Sequence, residues 1–269
     1  SNVQKAKVRQ DFSQLNVSEE ALLKVESASY HSSGTCTFYG TANSNQMLLE
    51  MMGLQLPNSS FVNTNTPLRE ALTAHAAKTI LTMTDLRGSY KPIAEIVDEK
   101  SFVNAIVGLM ATGGSTNHTI HLIAMARAAG ILLNWDDFDE ISKVTPLLCK
   151  MYPNGQADVN HFRDAGGMSV VISQLLDAGL VHNDVETIVG RGLDAYIVEP
   201  SMTESTLTFE PGPQVSSNTE VISSRQTPFS EEGGLKLLNG NLGRSVIKTS
   251  ALKSEQFFIE APAIVFESH

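Results

Sequence analysis

The sequence predicts an α/β protein in two parts, a helix-rich domain over residues 1–200 and a β-rich domain over residues 201–269. Three observations support this prediction. Segments with helical spacing and capping residues follow one another through the first part, and strand signals are scarce there. Short β-prone runs bounded by Gly, Pro, Asn and Ser dominate the second part. A linker is predicted near EPSMTES, where the pattern changes.

Two of the predicted helices carry clear N-terminal signals. In SEEALLKVESASY, Ser18 is the expected N-cap, and the two glutamates after it favour the positive end of the helix dipole. In TPLREALTAHAAKTILTMTD, Thr66 takes the N-cap and Pro67 the first helical position. Both segments are therefore expected to begin a helix at these residues.

Four further helices are predicted before residue 200. One is apolar on nearly all sides and is expected to be buried, and two others end in a glycine that suits a C-terminal cap. The segments are SFVNAIVGLMAT, STNHTIHLIAMARAAG, DDFDEISKV and GMSVVISQLLDAG.

Beyond residue 200, five short runs are predicted to form strands of the second domain. Each is rich in β-branched, aromatic or aliphatic residues and is bounded by turn-forming residues. The runs are STLTFEPGP, SNTEVISS, GLKLLNGNLG, SVIKTSA and QFFIEAPAIVFES.

Composition excludes several classes of function. A net charge of -10 argues against a nucleic-acid-binding surface, which needs clustered Lys and Arg. No apolar run reaches the roughly 18 residues of a membrane span, and the first residues lack the apolar core of a signal peptide. Two cysteines cannot form a secreted disulfide framework. A cytoplasmic location is expected.

Cys36 lies in the turn HSSGTCTFYGTANSNQM, directly ahead of a helix predicted to begin near Thr41. Most free cysteines are small buried hydrophobic residues, and this interpretation stays open. The small polar neighbours also suit a thiol near a helix N-terminus, where the dipole favours the thiolate that a nucleophile or soft metal ligand needs. Cys149, at the end of an apolar run, is expected to be structural.

The segment LMATGGSTNHTIHL places paired glycines before a helix start at Ser115 or Thr116. Such a turn can present backbone amides to an anion at a helix N-terminus. The expected substrate-binding residues are Gly114, Ser115, Thr116, Asn117 and His118. A tight helix–helix turn capped by serine explains the same residues, and the spacing alone does not decide between the two.

Two histidines and two cations are weaker candidates. His118 and His121 share a helix face, but without acidic or cysteine companions they predict a buried, hydrogen-bonded histidine rather than a metal site. In NGNLGRSV and the residues after it, Arg244 and Lys248 are the nearest cations for an anionic substrate. An exposed charge pair is the more ordinary interpretation.

Taken together, these motifs resemble a family of dehydratases that includes dihydroxy-acid and phosphogluconate dehydratases. The resemblance runs through essentially the whole chain. The residues around Cys36 and His118 are most similar to the branch that acts on 6-phosphogluconate. The segments that carry the resemblance are GTCTFYGTANSNQM, ATGGSTNHTIHLIAMARAAGI, NWDDFDEIS, YPNGQADVNHFRDAGG and NGNLGRSVIKTSA.

The resemblance implies that residues 1–200 are part of an N-terminal α/β/α domain and that residues 201–269 begin a β-barrel-like swivelling domain. It implies an iron–sulfur cluster, 4Fe–4S rather than 2Fe–2S, with Cys36 as one of three thiolate ligands and Cys149 as none. Magnesium or manganese is a further expected cofactor. The family's other two cysteines, metal-binding acids and catalytic serine have no counterpart here. The chain is therefore expected to be a central fragment that is inactive alone.

The implied reaction is dehydration of 6-phospho-D-gluconate to 2-dehydro-3-deoxy-6-phospho-D-gluconate and water, in the Entner–Doudoroff pathway. This chemistry needs a base for the proton beside the carboxylate and a Lewis acid for the departing hydroxide. The expected partners are a phosphorylated sugar acid and a second copy in a homodimer. Two alternatives stay open: another dihydroxy-acid or sugar-acid dehydratase of the family, and a non-catalytic binding or assembly module.

Overall fold

The computed structural model describes residues 2–29 and 36–266, in which the α-helices precede all of the strands. Among these residues, no helix is both long and apolar enough to cross a lipid bilayer. The helices are α1 (Asn2–Ser13), α2 (Glu19–Ser27), α3 (Thr41–Met51), α4 (Pro67–Thr82), α5 (Ile93–Ile96), α6 (Glu99–Thr112), α7 (His118–Ala128), α8 (Trp135–Val144), α9 (Val159–Asp164) and α10 (Gly167–Asp177).

In the described part of the chain, the strands pair as three separate two-stranded antiparallel sheets. Helices and small antiparallel sheets together confirm the predicted α/β class. The boundary at residue 200 and the barrel-like closure of the second domain stay predictions. The strands are β1 (Glu186–Thr187), β2 (Gly190–Arg191), β3 (Val198–Thr203), β4 (Thr206–Pro211), β5 (Leu235–Gly240) and β6 (Gly243–Lys248).

The starts of α2 and α4 follow the sequence signals, whereas α7 begins at His118 and not at Ser115 or Thr116 as predicted. The Ser18 hydroxyl accepts a hydrogen bond from the Ala21 amide at 3.2 Å, and the Thr66 hydroxyl accepts one from the Arg69 amide at 3.2 Å. Each bond satisfies one of the free N–H groups in the first turn of a helix. The caps of α2 and α4 are therefore confirmed.

Helices α3 and α6 pack closely at the centre of the core. Gly108 on α6 makes this possible, because a Cβ there would lie 2.6 Å from Cγ of Met51 and 3.0 Å from the sulfur of Met47. Helix α6 is buried on nearly all sides, as predicted. At the start of α8, the Trp135 indole N–H donates to the carbonyl oxygen of Thr119 at 3.3 Å, which ties α8 to α7.

Residues beyond 220 pack into the same core as the helices. Leu235 on β5 is 2 % exposed and belongs to the main apolar cluster. The Ser142 hydroxyl on α8 donates to the Leu235 carbonyl oxygen at 2.6 Å. Cys149 and Ile222 form an isolated antiparallel bridge. The β5–β6 hairpin therefore adds to the helical core.

Two of the strand predictions are wrong. In SNTEVISS only Ile222 pairs, through its bridge to Cys149. QFFIEAPAIVFES, as far as Phe266, forms no strand, and its large side chains such as Phe257 and Val265 are 64–90 % exposed. A strand needs a neighbour for its N–H and C=O groups, and within the described residues none lies beside this segment.

Candidate functional site

Cys36 is exposed on the wall of a cavity of about 300 Å³. It also lines a smaller cavity of about 220 Å³ together with Phe38 and Tyr152. Cys149 is fully buried, and this burial raises the pKa of its thiol far above the ordinary range. The structural interpretation of Cys149 is confirmed, whereas the ligand role of Cys36 stays a prediction. Residues 31–35 of the predicted turn lie outside the described residues.

The first turn of α3 holds residues 36–40 in place, which are called the Cys36 loop below. The side-chain amide of Asn43 donates to the carbonyl oxygens of Cys36 at 2.9 Å and of Phe38 at 2.8 Å. The Cys36 sulfur lies 3.6 Å from the Phe38 carbonyl oxygen. Because one side chain holds both carbonyls, the backbone at Cys36 is anchored to α3.

The first turn of α3 also contacts residues 114–118, the polar turn that follows α6. The Thr41 hydroxyl lies 2.9 Å from the Ser115 hydroxyl and accepts a hydrogen bond from the Asn117 side-chain amide at 2.8 Å. Ser115 and Thr116 are half-buried and Asn117 is exposed. The Cys36 loop and this polar turn therefore meet at one end of α3.

Two of the backbone amides expected to bind an anion are already used inside the protein. The Gly114 amide donates to the Leu109 carbonyl oxygen at 3.1 Å, and the Ser115 amide donates to the Ser44 hydroxyl at 3.2 Å. The expectation of free amides at these two positions is wrong. Substrate binding by Gly114, Ser115, Thr116, Asn117 and His118 stays a prediction, and at Ser115 it would depend on the side chain.

His118 lies wholly inside the protein, beneath this turn. Its Nε2 is 2.8 Å from the Ser44 hydroxyl, which donates its own proton to the Gly40 carbonyl oxygen at 2.7 Å. His118 therefore donates from Nε2 to Ser44. Burial, with a smaller effect from His121, lowers the pKa of His118 to about 4, so the ring is neutral at pH 7. In this conformation it supports the turn from within, as expected of a buried, hydrogen-bonded histidine.

A buried carboxylate holds the loop of residues 58–62, part of which lines the Cys36 cavity. Glu50 on α3 is fully buried and accepts from the amides of Asn58 at 2.8 Å and Ser60 at 2.7 Å, and from the Ser60 hydroxyl. Burial raises the pKa of Glu50 to about 7, because desolvation outweighs these hydrogen bonds. Glu50 was not among the residues predicted from the sequence, although an acid inside the apolar run LLEMM is a usable signal.

Arg69 on α4 holds the same loop from its other side. Its guanidinium donates to the carbonyl oxygen of Val62 from Nε at 3.1 Å and from Nη2 at 2.6 Å, and to that of Ser59 at 2.8 Å. Arg69 also lines the Cys36 cavity. Sequence spacing gives no signal for this role. The loop is thus held by a carboxylate on its amides and a cation on its carbonyls.

The described residues supply one candidate ligand for a cluster. They contain no group of three or more His, Cys, Asp or Glu side chains placed to hold a metal ion. Cys36 offers an exposed sulfur on a cavity wall, and sulfur is the donor that iron–sulfur clusters take. Cys36 therefore fits one ligand position, and a cluster bound there needs further ligands.

The two candidate cations differ in their surroundings. Arg244 forms an ion pair with Asp136 on α8, as the ordinary interpretation expects. Lys248 is half-buried, makes no ion pair within the described residues, and has its pKa lowered to about 8 by burial. Of the two, only Lys248 has a charge that no carboxylate in the described part of the chain compensates.

Comparisons with family models and with known proteins identify the same family of dehydratases. A family model described as dihydroxy-acid/6-phosphogluconate dehydratase N-terminal matches residues 1–196, and its C-terminal counterpart matches residues 220–269. The phosphogluconate dehydratases of Escherichia coli (strain K12) and Pseudomonas aeruginosa are each 55 % identical over 99 % of the chain. The dihydroxy-acid dehydratase of Roseiflexus castenholzii is 33 % identical over 94 % of the chain. The chain spans 44 % of the length of the first two proteins and 42 % of the third.

Proposed function

Because the chain belongs to the dihydroxy-acid/6-phosphogluconate dehydratase family, we propose that the protein dehydrates 6-phospho-D-gluconate to 2-dehydro-3-deoxy-6-phospho-D-gluconate and water. One observation carries the choice of substrate: the chain is 55 % identical to phosphogluconate dehydratases but 33 % identical to a dihydroxy-acid dehydratase. We further propose a cytoplasmic homodimer. The 269 residues alone are expected to show no turnover, since a cluster needs ligands besides Cys36.

The cofactor proposed for this reaction is an iron–sulfur cluster, with magnesium or manganese as an additional ion. When bound, a cluster with an open iron position supplies the Lewis acid that the leaving C3 hydroxyl needs. Cys36 would hold the cluster through its thiolate. Asn43 would anchor the backbone that carries that thiolate, because it donates to the carbonyl oxygens of Cys36 and Phe38.

The polar turn after α6 would orient the substrate. Thr41, Ser115 and Asn117 bring two hydroxyls and one amide together at the end of α3 that also holds Cys36. Such groups suit the hydroxyls of a sugar acid, because each can donate or accept. No residue of the chain is assigned as the base, for which the family resemblance implies a serine.

Substrate preference tests this proposal. We expect the complete enzyme, purified without oxygen, to turn over 6-phosphogluconate with a kcat/KM at least ~100-fold above that for gluconate or 2,3-dihydroxyisovalerate, because a site built for a phosphate leaves polar groups unpaired without it. A preference for either unphosphorylated acid would contradict the proposed substrate. Loss of all turnover, in protein that also holds no iron or sulfide, would instead favour an assembly module.

A further inference from the structure

A second cavity, of about 730 Å³, is lined by Asn154 and Ser250, which pack against Gly113 at the end of α6. Its walls are the segment around Lys150–Asn154 and the residues that follow β6, from Thr249 to Phe257. It shares no lining residue with the Cys36 cavity. Its volume falls within the range of roughly 300–1,000 Å³ that small-molecule sites occupy.

Two buried polar atoms in this wall lack a partner within the described residues. They are Oδ1 of Asn154 and the hydroxyl oxygen of Ser250. The Asn154 orientation is fixed, because its NH₂ group donates to the Gly113 carbonyl oxygen at 2.9 Å. Buried polar atoms are nearly always hydrogen-bonded, so each of these two atoms needs a partner, a water or a ligand, that the described residues do not supply.

Gly113 connects this cavity to the polar turn. Its φ of +61° is left-handed, and a Cβ on it would lie 2.5 Å from the Asn154 amide nitrogen and 2.9 Å from the Ser250 hydroxyl oxygen. Asn154 and Ser250 therefore pack against the residue that opens the Gly114–His118 turn. Cys36 reaches the other end of that turn through Thr41 and α3.

Positively charged side chains line this cavity, although the net charge of the chain is -10. Lys150 and Lys253 line it, and neither forms an ion pair in the described part of the chain. The Lys150 ammonium lies 4.5 Å from the centre of the Phe229 ring, which fixes it without neutralising it. Glu255 is the one acid among the lining residues, and the uncompensated Lys248 lies two residues before Ser250.

We propose that this cavity binds the phosphate of the phosphorylated sugar acid, with Lys150 and Lys253 as its cations and the Ser250 hydroxyl as a donor. Oδ1 of Asn154 would accept from a hydroxyl of the sugar chain, since that oxygen can only accept. The substrate would then lie along the turn, with its phosphate at Gly113 and its reacting carbons toward Cys36. This inference rests on the proposed function.

Steady-state kinetics of the complete enzyme test the site. Lys150→Met and Ser250→Ala should each raise the KM for 6-phosphogluconate about tenfold and change kcat by less than about twofold, because a charge-assisted hydrogen bond to the phosphate is lost. Lys150→Arg should restore most of the affinity. The matched control is Lys236→Met, because Lys236 on β5 pairs with Glu232 and lies outside the cavity. It should leave KM unchanged.

Titration with inorganic phosphate separates this site from the proposed function. Calorimetry should show phosphate binding that Lys150→Met weakens about tenfold and Lys236→Met does not. If the enzyme ignores 6-phosphogluconate but still binds phosphate through Lys150, the function is wrong and the site stands. If 6-phosphogluconate is turned over and neither KM nor phosphate affinity responds to Lys150→Met or Ser250→Ala, the site is overturned while the function stands.

Discussion

Cys36 and Cys149 place the same side chain in opposite surroundings, and this difference leads to a test. We expect Cys36→Ser to remove nearly all iron and sulfide from the complete enzyme, because a serine oxygen is a poor ligand for a site that selects soft sulfur donors. Cys149→Ser should retain both, since the Cys149 thiol is buried in the core. Iron and sulfide analysis with visible absorbance makes the measurement. Equal losses in the two variants would contradict the assignment of Cys36.

At the scale of single residues, features set by neighbours in the sequence were predictable, whereas features set by long-range contacts were not. The apolar run around Cys149 indicates a buried thiol, and the structure agrees, whereas the sequence left the burial of Cys36 open and the structure shows that thiol exposed. The occupied amide of Ser115 could not be predicted, because its acceptor, Ser44, lies 71 residues away in the chain. The orphaned oxygens of Asn154 and Ser250 also depend on contacts that spacing does not encode.

At the scale of structural elements, the loop of residues 58–62, which Glu50 holds, leads to a prediction about how the free energy of unfolding depends on pH. Folding raises the pKa of Glu50 from 4.5 to about 7, so the folded state binds the proton more tightly. The stability linked to this proton is complete below pH ~4.5 and is lost as pH rises through ~7, by up to roughly 3 kcal/mol. Glu50→Gln cannot ionise, so its free energy of unfolding should vary less between pH 5 and 7.

Urea unfolding at several pH values, followed by circular dichroism, measures this difference. The matched control is Glu70→Gln, because Glu70 is an exposed glutamate on α4. It should keep the pH dependence of the unsubstituted chain. If the curves of Glu50→Gln and the unsubstituted chain stay parallel from pH 5 to 8, the raised pKa of Glu50 is wrong.

The starts of α2 and α4 were predictable from sequence, and two of the predicted strands did not form, for one physical reason. A cap such as Ser18 or Thr66 bonds an amide three residues away, so its whole interaction lies in a short window. A strand exists only beside a partner, which short windows do not show. The turn in GLKLLNGNLG does join two such partners, and β5–β6 forms, whereas QFFIEAPAIVFES has no neighbour among the described residues.

Across the whole molecule, the β5–β6 hairpin and the helices share one core, so they should unfold together. Leu235→Ala is expected to lower the free energy of unfolding by about 2–5 kcal/mol, through lost burial and the cavity left behind. Leu242→Ala, at the fully exposed tip of the same hairpin, should change it by less than about 0.5 kcal/mol. Denaturant melts of both variants provide the comparison. A separate hairpin transition in Leu235→Ala, with the helices unaffected, would contradict the shared core.

The bond between Trp135 and Thr119 has a practical consequence. The chain contains a single tryptophan, and its indole N–H is held by the first turn of α7, directly after the Gly114–His118 turn. Indole fluorescence is sensitive to such a bond and to the polarity around the ring. The chain therefore carries a natural optical reporter beside its candidate substrate turn, and movement of α7 can be followed by emission without an added dye.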